Sequence, residues 1–289
     1  MLKLDTTQKI KIATFAYRLV AGIRRLFGKS DHAVIRRGGI SWELDLSEGI
    51  DFSIFLLGGF ELATLRLYES ILKPGDVVLD IGANIGAHTL PFAKLVGRDG
   101  RVFAFEPTQY AYEKLRRNVQ INPAISAGIE LVHAMLARET GAPVAAQIYS
   151  SWPLHEEPGL HEQHRGRLMS TADAAVITLD DFVRGKEIGR IDFVKLDVDG
   201  NEAAVLAGAV DTLRRFRPRV LMEWAPYLFD GESAAMEQVL RNFLDLGYCP
   251  KVPSGRRPLP KTLEALNSMV PRYGSMNVLF EIMNGESGQ

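Results

Sequence analysis

The 289-residue sequence predicts an α/β domain built on a Rossmann-like, doubly wound and mostly parallel sheet. From residue 76 onward, short apolar runs alternate with amphipathic helical stretches, and parallel strands require such crossover connections. The first of these runs, "DVVLDIG", ends in a glycine-rich bend. Doubly wound sheets place such bends at the carboxyl end of a strand, facing a ligand. Composition agrees: 46% hydrophobic and 24% charged residues support a sizeable core and exclude global disorder.

Residues 8–28 read as an amphipathic helix, with Ile12, Phe15, Leu19, Ile23 and Leu26 at helical spacing. Lys9, Lys11, Arg18, Arg24, Arg25 and Lys29 occupy much of the remainder. The expectation is a helix packed on the domain by its apolar stripe. The other reading is peripheral contact with an anionic membrane surface. "AVIRRGGISWELDL" reads as a hairpin turning at Gly38-Gly39. "FSIFLLGGFELATLRLYESIL" reads as helical in its second half, ending at the breaker pair Pro74-Gly75.

The alternation then runs from "DVVLDIG" to its helix "AHTLPFAKLVG", and from "RVFAFEP" to "YAYEKLRRNVQIN". "IELVHAML" is a third strand, and "DFVKLDVDG" a fourth, followed by the helix "NEAAVLAGAVDTLRRF". "RPRVLMEW", the helix "AAMEQVLRNFLDLGY" and the strand "NVLFEIM" complete the series. Residues 1–59 thus form an N-terminal helix-and-hairpin extension, and 60–289 the main domain. The polar stretch 141–175 is too long for a routine connection and reads as a lid.

A formal net charge of −1 gives no bulk electrostatic case for a nucleic-acid partner. Cys249 stands alone, so no intramolecular disulfide and no cysteine-based zinc site can form. No apolar run approaches the roughly 20 residues that span a bilayer. Basic residues interrupt the N-terminal apolar segment, which does not resemble a signal peptide. A cytoplasmic location, with membrane-peripheral contact as its variant, is the expectation.

Two cofactor classes compete for the glycine loop. A dinucleotide fold asks for G-x-G-x-x-G at this turn, and Gly82-Ala83-Asn84-Ile85-Gly86-Ala87 misses that spacing. With Asp80, the stretch reads D-x-G-x-N-x-G and resembles motif I of class I S-adenosylmethionine-dependent methyltransferases, with Asn84 where a glycine is usual. Glu106, closing the second strand, can accept both hydroxyls of an adenosyl ribose. An acid there also suits NAD, so the glycine spacing, not Glu106, discriminates.

In the fourth strand Lys195, Asp197 and Asp199 share one face. Charges do not stay unpaired inside a buried parallel sheet, so they belong at its open end or in pairs. Asp80 and Glu223 are candidate partners for Lys195. Asp197 is the candidate general base or acceptor-positioning group, tuned by Lys195. Glu202 reads as an early helix-turn acid, and Asp180 and Asp181 as a helix-start cap. Ser151, Trp152 and Glu223 are candidates on the acceptor side. Asp197, Asp199 and Glu223 also offer oxygen ligands to a divalent cation, but acid pairs are usually not metal sites, and none is expected. His155, His161 and His164 lack a metal-binding spacing.

From about Phe60 to Glu223 the sequence resembles the FkbM family of methyltransferases. The resemblance rests on Phe60-Glu61, "LKPGDVVLDIGANIG", "FEP", "ITLDDF", "DFVKLDVDGNEAAVLAGA" and "PRVLMEW", and the Asn of the glycine loop is what that family carries. It implies a seven-stranded methyltransferase sheet with an antiparallel last strand. It also implies S-adenosylmethionine as cofactor and O-methylation of a hydroxyl on a sugar, glycolipid or natural product. Asp80, Gly82, Asn84, Gly86 and Glu106 are then the cofactor side, with His133 and Ala134 near the adenine. A cofactor-binding but inactive regulatory or scaffold protein is the rival reading, and an NAD-dependent oxidoreductase the next.

Overall fold

The structure is a computed structural model and describes residues 6–155, 158–160, 166–229, 233–255, 257–271 and 274–282. It opens with helix α1 (Thr6–Leu26), the antiparallel hairpin β1 (His32–Arg37) and β2 (Ile40–Asp45), and helices α2 (Gly49–Leu57) and α3 (Leu62–Ile71). The segment expected to be helical only in its second half is helical in both. Gly58, at φ 88°, ends α2 in a left-handed conformation that lets the chain turn into α3.

The alternating region follows as β3 (Val77–Ile81), α4 (Thr89–Val96), β4 (Arg101–Phe105), α5 (Gln109–Gln120), β5 (Ile129–Val132) and β6 (Ala134–Leu136). Strands β7 (Gln147–Ser150), β8 (Arg167–Ser170) and β9 (Ala175–Ile177) lead to α6 (Leu179–Gly185) and β10 (Phe193–Leu196). The chain ends with α7 (Glu202–Ala207), α8 (Val210–Phe216), β11 (Arg219–Trp224), α9 (Ser233–Asp245), β12 (Tyr248–Lys251), α10 (Leu263–Asn267) and β13 (Met276–Ile282).

Seven strands form one sheet in the order β12-β13-β11-β10-β3-β4-β5. β13 runs antiparallel to β11 and β12, and the other pairs are parallel. The extra strand, β12, lies in a stretch with no strand-like run in the sequence. It begins with Tyr248, read as the end of a helix, and contains Pro250, a residue confined to sheet edges because it lacks a donor.

Further along the chain, other elements also differ from the sequence reading. The third strand breaks at His133: β5 stays in the sheet, while β6 leaves it to pair with β9. The helix after β10 breaks at Gly208, where a Cβ would stand 2.2 Å from the Ala137 carbonyl oxygen. The cap of α6 is Thr178, whose hydroxyl accepts from the Asp181 amide; Asp180 instead accepts from the amides of Asp211 and Thr212, at the start of α8.

Strand alternation divides the core between two faces. Leu79, Val194, Leu196 and Met222 pack with Val239, Leu240 and Phe243 of α9 on one side. Val78, Phe193 and Leu221 pack with Tyr68, Phe92 and Val96 on the other. A third cluster joins the hairpin and α2 (Trp42, Leu44, Phe52, Ile54) to Ile85 and Leu90, beside the glycine loop. Side chains in α5 and just past its end hold the hairpin edge: Asn118 accepts from the Glu43 amide, and Asn122 bonds both the amide and the carbonyl of Ser41. Asn118 also donates to the Ile85 carbonyl, so one residue fixes hairpin and glycine loop together.

The orientation of α1 overturns the packed-stripe expectation. Ile12, Phe15, Leu19, Ile23 and Leu26 are 56, 73, 59, 49 and 84% exposed, and the helix is seated through Tyr17 and Ala21 instead. Insertion 141–175 folds partly as the antiparallel β7–β8 hairpin. It is tied to the N-terminal extension: Gly49 donates to the Trp152 carbonyl, Leu154 to the Ser47 carbonyl, and Arg167 pairs with Glu48 at 3.1 Å. His161 and His164 lie outside the described residues.

Candidate active site

Beyond the carboxyl ends of β3, β4 and β10 lies a cavity of about 810 Å³. The glycine loop forms its floor. Gly82 sits at φ 82°, and an added Cβ would lie 1.7 Å from the Asp197 carbonyl oxygen. Only glycine lets the loop pass the end of β10 this closely. Asn84 has φ 49°, a left-handed conformation that asparagine tolerates, and its Oδ1 accepts from the Ile85 amide. That geometry accounts for an asparagine where a generic motif has glycine.

Glu106 is buried and built into this turn. Its Oε2 accepts from the Asn84 amide at 2.9 Å, and its Oε1 from the Thr108 amide and hydroxyl at 2.9 and 2.6 Å. Burial pushes its pKa up, against these hydrogen bonds. With Oε1 doubly engaged, Oε2 keeps one acceptor position, so a two-hydroxyl contact is reduced to one.

Alternation puts Asp80, Lys195 and Glu223 on the same face of three neighbouring strands, with Asp80 and Lys195 in register. Lys195 is buried and its Nζ lies 2.9 Å from Asp197 Oδ2. Burial opposes its charge, but Asp197, Asp80 and Glu61 outweigh that and raise its pKa. Asp80 is fully buried; Thr89 donates to its Oδ2 at 2.6 Å, and Oδ1 has no hydrogen-bond partner among the described residues. Ser275 donates to Glu223. Asp197, Asp199 and Glu223 have carboxylate oxygens within 4.8 Å of one another. Protein surrounds Glu223, and that burial, then the nearby Asp197 charge, raises its pKa. Asp199 is open to the cavity. Glu202 is buried and accepts from the amides of Val198 and Gly200, and burial raises its pKa to about 7. The end of β10 is therefore a carboxylate-rich surface around one buried ammonium.

The structure brings Gly82, Asn84, Glu106, Ala134, Lys195, Asp197 and Trp152 to one cavity wall. His133 is set apart from it: its ring stacks on Tyr112 and its Nε2 lies 3.2 Å from the Pro107 carbonyl. Ser151, at φ 63°, sits behind Trp152 among Glu48, Asp51 and Lys114, while its neighbour Ser150 lines the cavity. Glu223 approaches through the acid cluster rather than the cavity wall.

Two residues escaped the sequence reading. His88 borders the cavity with Nδ1 3.1 Å from the Tyr68 hydroxyl, and Nε2 has no hydrogen-bond partner among the described residues. Burial, then Lys195, drives its pKa down, so it stands neutral. Glu61 accepts from Asn277 and lies in the electrostatic field of Lys195 and Asp197. The pair Phe60-Glu61 was the signal for the second; a histidine at a helix start gave none for the first.

Comparison with known proteins matches this framework. A model of the Methyltransferase FkbM domain matches residues 80–249, more than half of the chain. The chain is 26% identical over 158 residues to the hexuronic acid methyltransferase AglP of Haloferax volcanii, covering 53% of this chain and 58% of that protein. It is 30% identical over 162 residues to the 31-O-demethyl-FK506 methyltransferase FkbM of Streptomyces tacrolimicus, covering 48% and 62%. The chain thus spans about three fifths of the length of these relatives. The solved methyltransferase FkbM from Methylobacillus flagellatus KT superposes with TM-score 0.43 at 15% identity, covering 75% of this chain and 50% of that one. The D-x-G-x-N-x-G loop, the acid closing β4 and the charged end of β10 all fall inside or at the edge of the matched region, and the chain belongs to the FkbM methyltransferase family.

Proposed function

We propose that this chain is an S-adenosylmethionine-dependent O-methyltransferase acting on a hydroxyl of a sugar, glycolipid or natural-product acceptor. One observation carries the reading: the Glu106-braced glycine loop and the Lys195–Asp197 pair open into the same cavity. About 810 Å³ lies in the upper part of the usual range for ligand pockets, which suits a nucleoside cofactor together with a small acceptor.

The residues fit that cofactor. The carboxylate surplus around Lys195 suits a ligand carrying a sulfonium and an ammonium, and the free position on Glu106 Oε2 suits a ribose hydroxyl. When bound, the cofactor supplies an electrophilic methyl group. Asp197, half-buried at the cavity wall, takes the proton of the acceptor hydroxyl, and the Lys195 ammonium, 2.9 Å from its Oδ2, holds the carboxylate in position. Trp152 offers an aromatic face to the acceptor, and Ser150 a hydrogen bond, from the lid. The names of the two relatives, one specifying a hexuronic acid and the other a 31-O-demethyl position, support an oxygen acceptor on a small molecule. A cytoplasmic location belongs to the same proposal.

Transfer of an isotope-labelled methyl group to a panel of sugars, glycolipids and polyketides tests it, beside calorimetry with S-adenosylhomocysteine. Cofactor binding without transfer to any acceptor would favour the inactive scaffold. Binding of NAD with no response to S-adenosylhomocysteine would overturn the cofactor assignment.

A further inference from the structure

The apolar stripe of α1 has no covering element among the described residues. Ile12, Phe15, Leu19, Ile23 and Leu26 recur at three- and four-residue steps and are all about half exposed or more, and Phe27, just past the helix, is 75% exposed. Taking such side chains out of water is strongly favourable, so a continuous exposed row of them marks a contact surface.

The helix is held firmly by its other side. Tyr17 is buried, donates to Asp31 at 2.9 Å and meets Phe52 edge-on. Arg24 donates to the carbonyls of Ser30 and His32 and lies over the Phe55 ring. Tyr17 and Ala21 belong to the cluster that includes Ile50 and Ile85, next to the cavity, so the stripe faces outward by construction.

Charge says what the stripe meets. Residues 6–30 contain six basic residues and no acidic one, in a chain whose net charge is −1. Lys11, Arg18 and Arg25 are exposed and follow one another at seven-residue steps, which aligns them along one edge of the stripe. Two copies of α1 packed face to face would offer each other's basic edge no acidic residue to pair with, whereas an anionic lipid surface satisfies both the stripe and its basic edge. At 21 residues interrupted by charges, no described helix is long and apolar enough to cross a membrane.

We propose that α1 binds an anionic lipid bilayer in the plane of its surface, with Phe15, Leu19 and Ile23 among the acyl-chain boundary and Lys11, Arg18 and Arg25 at the headgroups. This is independent of the chemistry in the cavity. It would also hold the wall of that cavity formed by the N-terminal extension towards the lipid.

The test is sedimentation of the full chain with vesicles of phosphatidylcholine plus phosphatidylglycerol, and with phosphatidylcholine alone. Binding to the anionic vesicles is expected, weakening as salt is raised. Phe15→Ser and Leu19→Ser should each lower partitioning on the order of tenfold. The triple change Lys11→Gln, Arg18→Gln, Arg25→Gln should lower it on the order of a hundredfold at low salt. Thermal unfolding should be unchanged in the two serine variants, whose side chains are exposed, and little changed in the triple variant, where Arg25 gives up only a solvent-exposed pair with Asp31 at 3.4 Å. Failure of the unaltered chain to sediment with anionic vesicles overturns the proposal. So does binding that Leu19→Ser leaves intact. A dimer in light scattering that Leu19→Ser dissociates, with no vesicle binding, would assign the stripe to a second copy instead.

Discussion

Asp197→Asn separates a chemical role for this residue from a structural one. Its Oδ2 is 2.9 Å from Lys195 Nζ, and the side chains are 30% and 5% exposed respectively. Removing the partner of a buried charge typically costs about 3–5 kcal/mol when that charge is orphaned. Lys195 is not orphaned here: Asp80 stands beside it in register on β3, and Glu61 contributes to the same field. The Asn Oδ1 also still accepts from the ammonium. The loss should therefore stay near the strength of one charge-assisted hydrogen bond, about 2 kcal/mol. For a chain of this size that is a fall in Tm of about 4–8 °C. An amide cannot take the acceptor proton, so methyl transfer should fall at least about a hundredfold. Calorimetric binding of S-adenosylhomocysteine should be nearly unchanged. The assay pairs thermal unfolding with labelled-methyl turnover on the same preparation. Turnover within a few-fold of the parent refutes the base assignment. A large loss of stability, matched by a proportionate loss of cofactor binding and turnover, refutes the argument that Asp80 suffices for Lys195.

Glu106→Ala should weaken S-adenosylhomocysteine binding by about 1.5–3 kcal/mol in calorimetry and also lower Tm. The second effect follows because it leaves the amides of Asn84 and Thr108 without their carboxylate; unchanged affinity would remove Glu106 from the cofactor site. Gly82→Ala should destabilise by more than about 3 kcal/mol or prevent folding, because its Cβ would overlap the Asp197 carbonyl. A Tm equal to that of the parent would show that the loop and β10 are not in contact. Glu202 has a pKa raised to about 7 by burial, above its ordinary 4.5. A raised acid favours the folded state fully below about pH 4.5 and loses that contribution as pH rises through about 7. Glu202→Gln should therefore gain on the parent in denaturant titrations between pH 5 and pH 8, by about 3 kcal/mol at most. A difference independent of pH would mean that Glu202 ionises normally.

Much of this fold was legible because it rests on short-range patterns. A strand followed by glycines and then a helix is written in consecutive residues, so β3, β4, β10 and β11 and their helices were readable directly. The same holds for the candidate site: Asp80, Gly82, Asn84, Glu106 and Asp197 all lie at the ends of such strands. Parallel connections deliver those ends to one edge of a sheet whatever else the chain does. Even the face shared by Lys195 and Asp197 followed from alternation.

The remainder was decided by contacts between residues far apart in the chain. Asp80 became the lateral neighbour of Lys195 through a pairing across more than a hundred residues. Thr108 and the Asn84 amide took up acceptor positions on Glu106 that a sequence leaves open. His133 was claimed by Tyr112, and Ser151 by the space behind Trp152, because packing rather than proximity in sequence directs a side chain. Helix α1 shows the division most plainly. Its amphipathic period was written in the sequence, but the choice of buried face was not. Small residues beside Tyr17 let the helix lie against the hairpin, and the larger apolar stripe was left facing solvent. Periodicity gives the angle between two faces of a helix, and only the surface it packs against decides which of them is inside.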